Sequence, residues 1–161
     1  MIDWRIAPFA QLTPREVHDI FQARVAVFVV EQDCVFQDLD GLDPECWHLL
    51  GREDGELVAY CRLVPPGTKF AEPSIGRVMT VTAIRGRGAG RELMVEAIRR
   101  AEKLWPGKSI RVAAQRHLER FYAGLGFVTA SEPYDEDGIA HIDMLRPASA
   151  SVEQAGQEIG H

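Results

Sequence analysis

Apolar residues recur at two spacings along this chain, and each change of spacing marks a boundary between elements. Residues 4–8 are short and mixed and read as a first strand. Thr13-Pro14-Arg15-Glu16 then opens a helix. Thr13 can cap, Pro14 suits the first helical position, and Glu16 completes a capping box. Val17, Ile20, Phe21, Arg24, Val25 and Phe28 follow at helical spacing, which predicts a helix to about Val30. Over 31–45 the period dissolves among Glu31, Asp33, Asp38, Asp40, Asp43 and Glu45. That stretch reads as a long loop of the kind that often carries function. Runs 47–52 and 57–64 flank Asp54-Gly55 and predict a hairpin. A strand over 74–81 follows. The clearest amphipathic helix covers 88–105, with Leu93, Met94, Ala97, Ile98, Ala101, Leu104 and Trp105 on one stripe. Pro106-Gly107 ends it. A strand over 109–115, a short helix over 118–125 and a ribbon pairing 127–130 with 141–146 around an acidic loop, 132–138, complete the pattern. Helices interrupt a mostly antiparallel set of strands, so the fold class is mixed α/β rather than a doubly wound parallel sheet. Residues 1–147 form one domain, and 148–161, small and polar, read as a flexible tail.

The junction between strand 74–81 and helix 88–105 changes this picture from fold to chemistry. It reads Arg85-Gly86-Arg87-Gly88-Ala89-Gly90-Arg91. Glycines let backbone approach a ligand without Cβ atoms in the way. The first N–H groups of a helix lack internal partners and carry partial positive charge, so a phosphate is the expected guest. Spacing excludes two common guests. The dinucleotide pattern G-x-G-x-x-G fails at Arg91 when started from Gly86 and at Leu93 when started from Gly88. The nucleoside-triphosphate loop fails because no Gly-Lys-Ser/Thr follows.

Net charge is −6, which argues against nucleic acid or an anionic membrane as partner. Cys34, Cys46 and Cys61 are odd in number and lack Cys-x-x-Cys spacing, so reduced thiols are expected, with no metal site. A calcium loop counted from Asp38 fails, because Asp43 stands where glycine is needed and Leu49 where glutamate is needed. No apolar run is long enough to span a bilayer and no signal core opens the chain, so a cytoplasmic location is expected.

Arg85, Gly88 and Gly90 fit [Arg/Gln]-x-x-Gly-x-[Gly/Ala], and Phe121-Tyr122-Ala123-Gly124-Leu125-Gly126-Phe127 follows the next strand. Together these resemble the pyrophosphate loop and the Phe-Tyr-x-x-x-Gly-Phe element of the GNAT superfamily of acyl-CoA N-acyltransferases. Val27 to Gln32, Val-Phe-Val-Val-Glu-Gln, is similar to its ElaA-like branch. The resemblance covers roughly 4–147. It implies a mostly antiparallel central sheet of six to seven strands with helices on both faces. It also implies an N-acetyltransferase that moves an acetyl group directly from acetyl-CoA to a primary amine. A non-catalytic CoA-binding module on the same fold is the alternative.

The same resemblance distributes the roles. Backbone N–H groups of Gly86, Arg87, Gly88, Ala89, Gly90 and Arg91, with the side chains of Arg85, Arg87 and Arg91, would hold the pyrophosphate. Backbone atoms of Val78, Met79 and Thr80 would pair with the pantetheine arm. Gln115 stands where many members carry Asn, and it keeps an amide. Tyr122 matches the family's general acid to the leaving sulfur. Glu31, His48 and His141 are candidate bases, and no spacing selects among them. Asp38, Asp40, Asp43, Asp135, Glu136 and Asp137 would draw a cationic acceptor, either a small molecule or a protein or peptide. Oligomeric state stays open, with a homodimer among the options.

Overall fold

The capping box forms as its sequence requires. The Glu16 N–H donates to Thr13 Oγ1 at 3.1 Å, and the Thr13 N–H donates to Glu16 Oε1 at 2.9 Å. It opens α1 (Pro14–Arg24) in a computed structural model that describes residues 1–148. The expected tail, 148–161, lies outside the described residues apart from Ala148.

The α-helical winding stops earlier than its periodicity predicts. Val25–Glu31 is wound as a π-helix, and beyond it the Cys34 N–H reaches back five residues to Val29 O at 3.0 Å. Val25, Val27, Val29 and Val30 crowd this segment with β-branched side chains, which lose rotamer freedom in a tight α-helix.

Eight strands build one sheet: β1 (Asp3–Pro8), β2 (Trp47–Glu53), β3 (Glu56–Val64), β4 (Ser74–Thr80), β5 (Ile110–Gln115), β6 (Val128–Thr129), β7 (Tyr134–Glu136) and β8 (Ile139–Arg146). The order is β1-β2-β3-β4-β5-β8-β6, with β7 also pairing β8. β4 and β5 are parallel, and the other pairs are antiparallel. The predicted hairpin closes β2 on β3, with Asp54 and Gly55 both at positive φ, as its two-residue turn demands. One short strand, β7, exceeds the expected count. It arises inside the acidic 132–138 loop, where local sequence is polar and its pairing with β8 decides the conformation.

Strand alternation sends neighbouring residues to opposite faces. Leu49, Ala59, Cys61 and Leu63 pack on one face with Leu93, Met94, Ala97 and Ile98 of α2 (Ala89–Leu104). Tyr122 of α3 (Glu119–Ala123) joins that core. Leu50, Tyr60 and Met79 face the other way and pack with Ile20 of α1. Helices therefore cover both faces, as expected of this fold class. Among the described residues, no helix is long and apolar enough to cross a membrane.

Candidate functional site

The parallel pair at the middle of the sheet is incomplete, and that gap makes the site. β4 and β5 register at Ser74 and Arg111, where the Arg111 N–H donates to Pro73 O at 2.9 Å. Beyond that point they diverge, and Gly76, Val78, Ala113, Ala114, Gln115 and Tyr122 line a cavity of about 310 Å³ between them.

A bulge exposes the β4 edge. Tyr60 pairs with Met79 and Arg62 with Gly76, so Cys61 stands opposite both Arg77 and Val78. Arg77 takes φ of 50° to accommodate the extra residue. The Val81 N–H donates to Val58 O at 2.9 Å. Alternation then turns the Met79 backbone toward β3, and turns those of Val78 and Thr80 toward the gap. The Met79 side chain is buried in the α1-facing core. Of the three expected backbone positions, Met79 is therefore committed to β3. Thr80 O accepts from Arg85 Nε at 3.1 Å and Nη2 at 2.9 Å. Val78 keeps a free edge in the cleft.

The glycine turn sits at the far end of β4. Gly86 and Gly88 have φ of 85° and 75°, and a Cβ on Gly86, Gly88 or Gly90 would meet nothing within 4 Å. Gly88 caps α2 without a side-chain bond, so the first N–H groups of a 16-residue helix face an open approach. The arginines divide. Arg85 forms a bidentate pair with Glu31, and Arg87 pairs with Glu53 at 2.9 Å. Arg91 forms no ion pair among the described residues.

Tyr122 is buried at the base of the cleft. Phe121 and Phe127 hold its ring edge-on at 5.2 and 5.7 Å. Burial raises its pKa, with Cys61 adding to the rise, so the phenol stays protonated. Its hydroxyl makes no hydrogen bond to another described residue, and it is absent from the side-chain atoms that are both fully buried and unpaired.

The candidate bases separate clearly. Glu31 lies outside the cleft lining, and the Arg85 bond lowers its pKa, which leaves it a weak base. His48 is buried away from the cleft. Its Nε2–H donates to Asp43 O at 2.9 Å, and its Nδ1 accepts from Tyr60 Oη at 2.7 Å. With both nitrogens engaged it has no lone pair for a substrate, so its place is structural. His141 lines the cleft, and its Nδ1–H donates to Ile139 O at 2.8 Å. That bond fixes the tautomer and leaves the Nε2 lone pair free, 3.7 Å from a Glu136 oxygen.

Burial lowers the His48 pKa, which gives a pH expectation with a definite sign. The unfolded chain binds a proton near the ordinary value of about 6.5, and the folded chain resists it. Stability from neutral His48 is complete above that pH and is lost as pH falls below it, by up to about 1.4 kcal/mol per pH unit. Urea midpoints between pH 7.5 and 5.5 should fall for the wild type and fall less steeply for His48→Asn. Parallel slopes would show that His48 carries none of the dependence.

The acidic loop is not the free anionic surface that its sequence suggests. Asp38 and Asp43 are buried. Arg24 Nε bonds Asp38 at 2.9 Å and Nη1 bonds Asp43 at 2.5 Å, while Arg62 bonds Asp40 at 2.5 Å and Asp43 at 3.1 Å. Arg77 Nε stands 2.8 Å from Asp38 Oδ1, close enough for charge pairing but misaligned for a hydrogen bond. Three aspartates are thus neutralised by three arginines of the same chain. Asp135, Glu136 and Asp137 stay exposed. Arg77 escaped sequence reasoning, because neither its bulge nor its distant partners leaves a local signal.

Comparison with known proteins agrees with this architecture. Residues 16–146 match the family model described as Acetyltransferase (GNAT) domain. A UPF0039 protein of Synechocystis sp. is 45% identical over 145 residues, covering 89% of this chain and 94% of that protein. Protein ElaA of Escherichia coli is 40% identical over 148 residues, covering 91% and 97%. Among solved structures, an acyl-CoA N-acyltransferase from Pseudomonas aeruginosa superposes with a TM-score of 0.87 at 42% identity, covering 91% of this chain and 99% of that one.

Proposed function

Because this chain belongs to the GNAT acetyltransferase family, we propose that it is an N-acetyltransferase carrying an acetyl group directly from acetyl-CoA to a primary amine. One observation carries the reading. An open cleft runs along the free Val78 edge, with an uncapped helix N-terminus beyond the end of β4 and an unpartnered Tyr122 hydroxyl at its base.

The residues present fit acetyl-CoA, which supplies the acyl group as an activated thioester. N–H groups from Gly86 to Arg91 and the Arg91 side chain would hold its pyrophosphate. The Val78 N–H and C=O would pair with its amides as an added strand does, and the Gln115 amide would take a further contact. Tyr122 donates its hydrogen bond to the leaving sulfur as negative charge develops there. His141 Nε2 takes the proton of the acceptor amine, and the Glu136 carboxylate stabilises the imidazolium that results. Direct transfer asks nothing of Cys34 or Cys46. The Tyr122 hydroxyl, which no structural bond explains, favours this over a purely CoA-binding role.

Acetyl-CoA at about one hundred times its Kd should stabilise the protein by about 2.7 kcal/mol and raise Tm by about 5–10 °C. A panel of amino acids, polyamines and basic peptides should then contain an amine that releases free CoA thiol. No Tm shift at millimolar acetyl-CoA overturns the reading. A shift without turnover by any amine leaves the CoA-binding module.

A further inference from the structure

The amine end of the cleft is charged in a way that the acidic loop does not explain. With Asp38, Asp40 and Asp43 consumed by arginines, the lining keeps two kinds of unspent charge. Glu136 and Asp137 are the acids, beside His141. Lys69 is the cation: its ammonium stands 5.5 Å over the Phe70 ring and forms no ion pair with a described residue. The Lys69 side chain is exposed to solvent; its partial burial lowers its pKa, and Arg62 and Arg77 lower it further against the opposing pull of Glu136 and Asp40. The same wall holds a donor with nothing to bond. Arg62 is 1% exposed, and its Nε is buried without a hydrogen-bond partner. The buried Arg62 Nε, costly to leave unpaired, and the exposed Lys69 ammonium line the same cleft, and together they suit an anion.

That anion is not the pyrophosphate. Lys69 precedes Ser74 at the start of β4, and the glycine turn follows the strand's other end. The strand between them, Ser74–Thr80, spans about 20 Å over its six residue steps.

We propose that the acceptor amine also bears a carboxylate, as an amino acid does, and that Lys69 holds that carboxylate while the amine faces His141 and Glu136. The inference rests on the N-acetyltransferase reading and narrows its substrate class. It also reverses the expectation of a purely cationic acceptor that the acidic loop suggested.

Equilibrium binding tests this without knowing the substrate. CoA binding to the wild type is measured first by calorimetry, and its absence would overturn the acetyltransferase reading and this inference with it. CoA-saturated protein is then titrated with N-acetyl-amino acids and with their carboxamide twins, which differ in the carboxylate alone. Carboxylates should bind about tenfold or more tighter than the twins. Lys69→Met should erase the difference, and Lys69→Arg should keep most of it. Equal binding of the twins, binding of neither, or a preference that survives Lys69→Met overturns the inference and leaves the acetyltransferase reading standing. N-acetyl-aminoethylphosphonate serves as the other anion, and tighter binding of it than of every carboxylate would overturn the carboxylate assignment.

Discussion

Tyr122→Phe should lower kcat by about 100- to 1,000-fold and leave the KM for acetyl-CoA within a few-fold of wild type. The magnitude follows from what the hydroxyl can do. Burial pushes its pKa above the ordinary value, while a thiol leaves near about 8.5. Complete proton transfer to the sulfur is then uphill, and in the proposed reaction Tyr122 would act chiefly by donating a hydrogen bond to the developing thiolate. Such a bond strengthens only as charge appears, so its loss falls on kcat and not on binding. The fold should tolerate the change. The ring packs edge-on with Phe121 and Phe127, which Phe preserves, and no described residue loses a hydrogen bond. Steady-state kinetics with an active amine, beside a melting curve, check both halves. A kcat within threefold of wild type would remove Tyr122 from the chemistry. A collapse in Tm would mark its role as structural.

What the sequence reveals of this site follows a physical division between local and distant interactions. The capping box at Thr13, the Asp54-Gly55 turn and the glycines at 86 and 88 are set by a few adjacent residues, so they can be read directly. Tyr122 and Gln115 are legible through motif spacing, and both line the cleft. The early end of α1 is half legible, since the valines after Arg24 weaken α-helix, but their π winding is not. Ion pairing is illegible. Glu31 meets Arg85 across 54 positions, and Arg77 contacts the Asp38 carbonyl across 39. No local pattern records such meetings. An aspartate bound for a buried pair looks the same in sequence as one bound for solvent. His48 and His141 show the same limit: their types are equal, and the bonds formed by their ring nitrogens decide which could accept a proton.

The buried charge network is where a single substitution should cost most stability. Arg24 is fully buried and bonds Asp38, Asp43 and the Asp38 carbonyl. Arg24→Met keeps much of the aliphatic stem, but removes the charge and the guanidinium that stands 5.3 Å over the Phe21 ring. Arg77 still faces Asp38 and Arg62 still faces Asp43, so each aspartate is left with half its compensation. Breaking such a pair costs about 3–5 kcal/mol, because the surviving charge stays desolvated. For a domain of this size that is a loss of about 6–20 °C in Tm. The decisive comparison is the double variant Arg24→Met with Asp38→Leu, which removes one charge of each sign. If uncompensated charge is the cause, the double variant should recover at least half of the loss, since apolar replacements of whole pairs are often near neutral. If it is as unstable as the single variant, the cost lies in the lost hydrogen bonds and packing that hold the 31–45 loop. Acid should act on the same network through Asp40. Arg62 bonds hold its pKa well below the usual carboxylate range against the opposing effect of burial. The stability it contributes is present above the unfolded value of about 4 and disappears as pH falls through the folded one. Arg62 and Arg77 line the cleft together with Lys69, so the network that secures the loop also sets the shape and charge of that wall of the cleft.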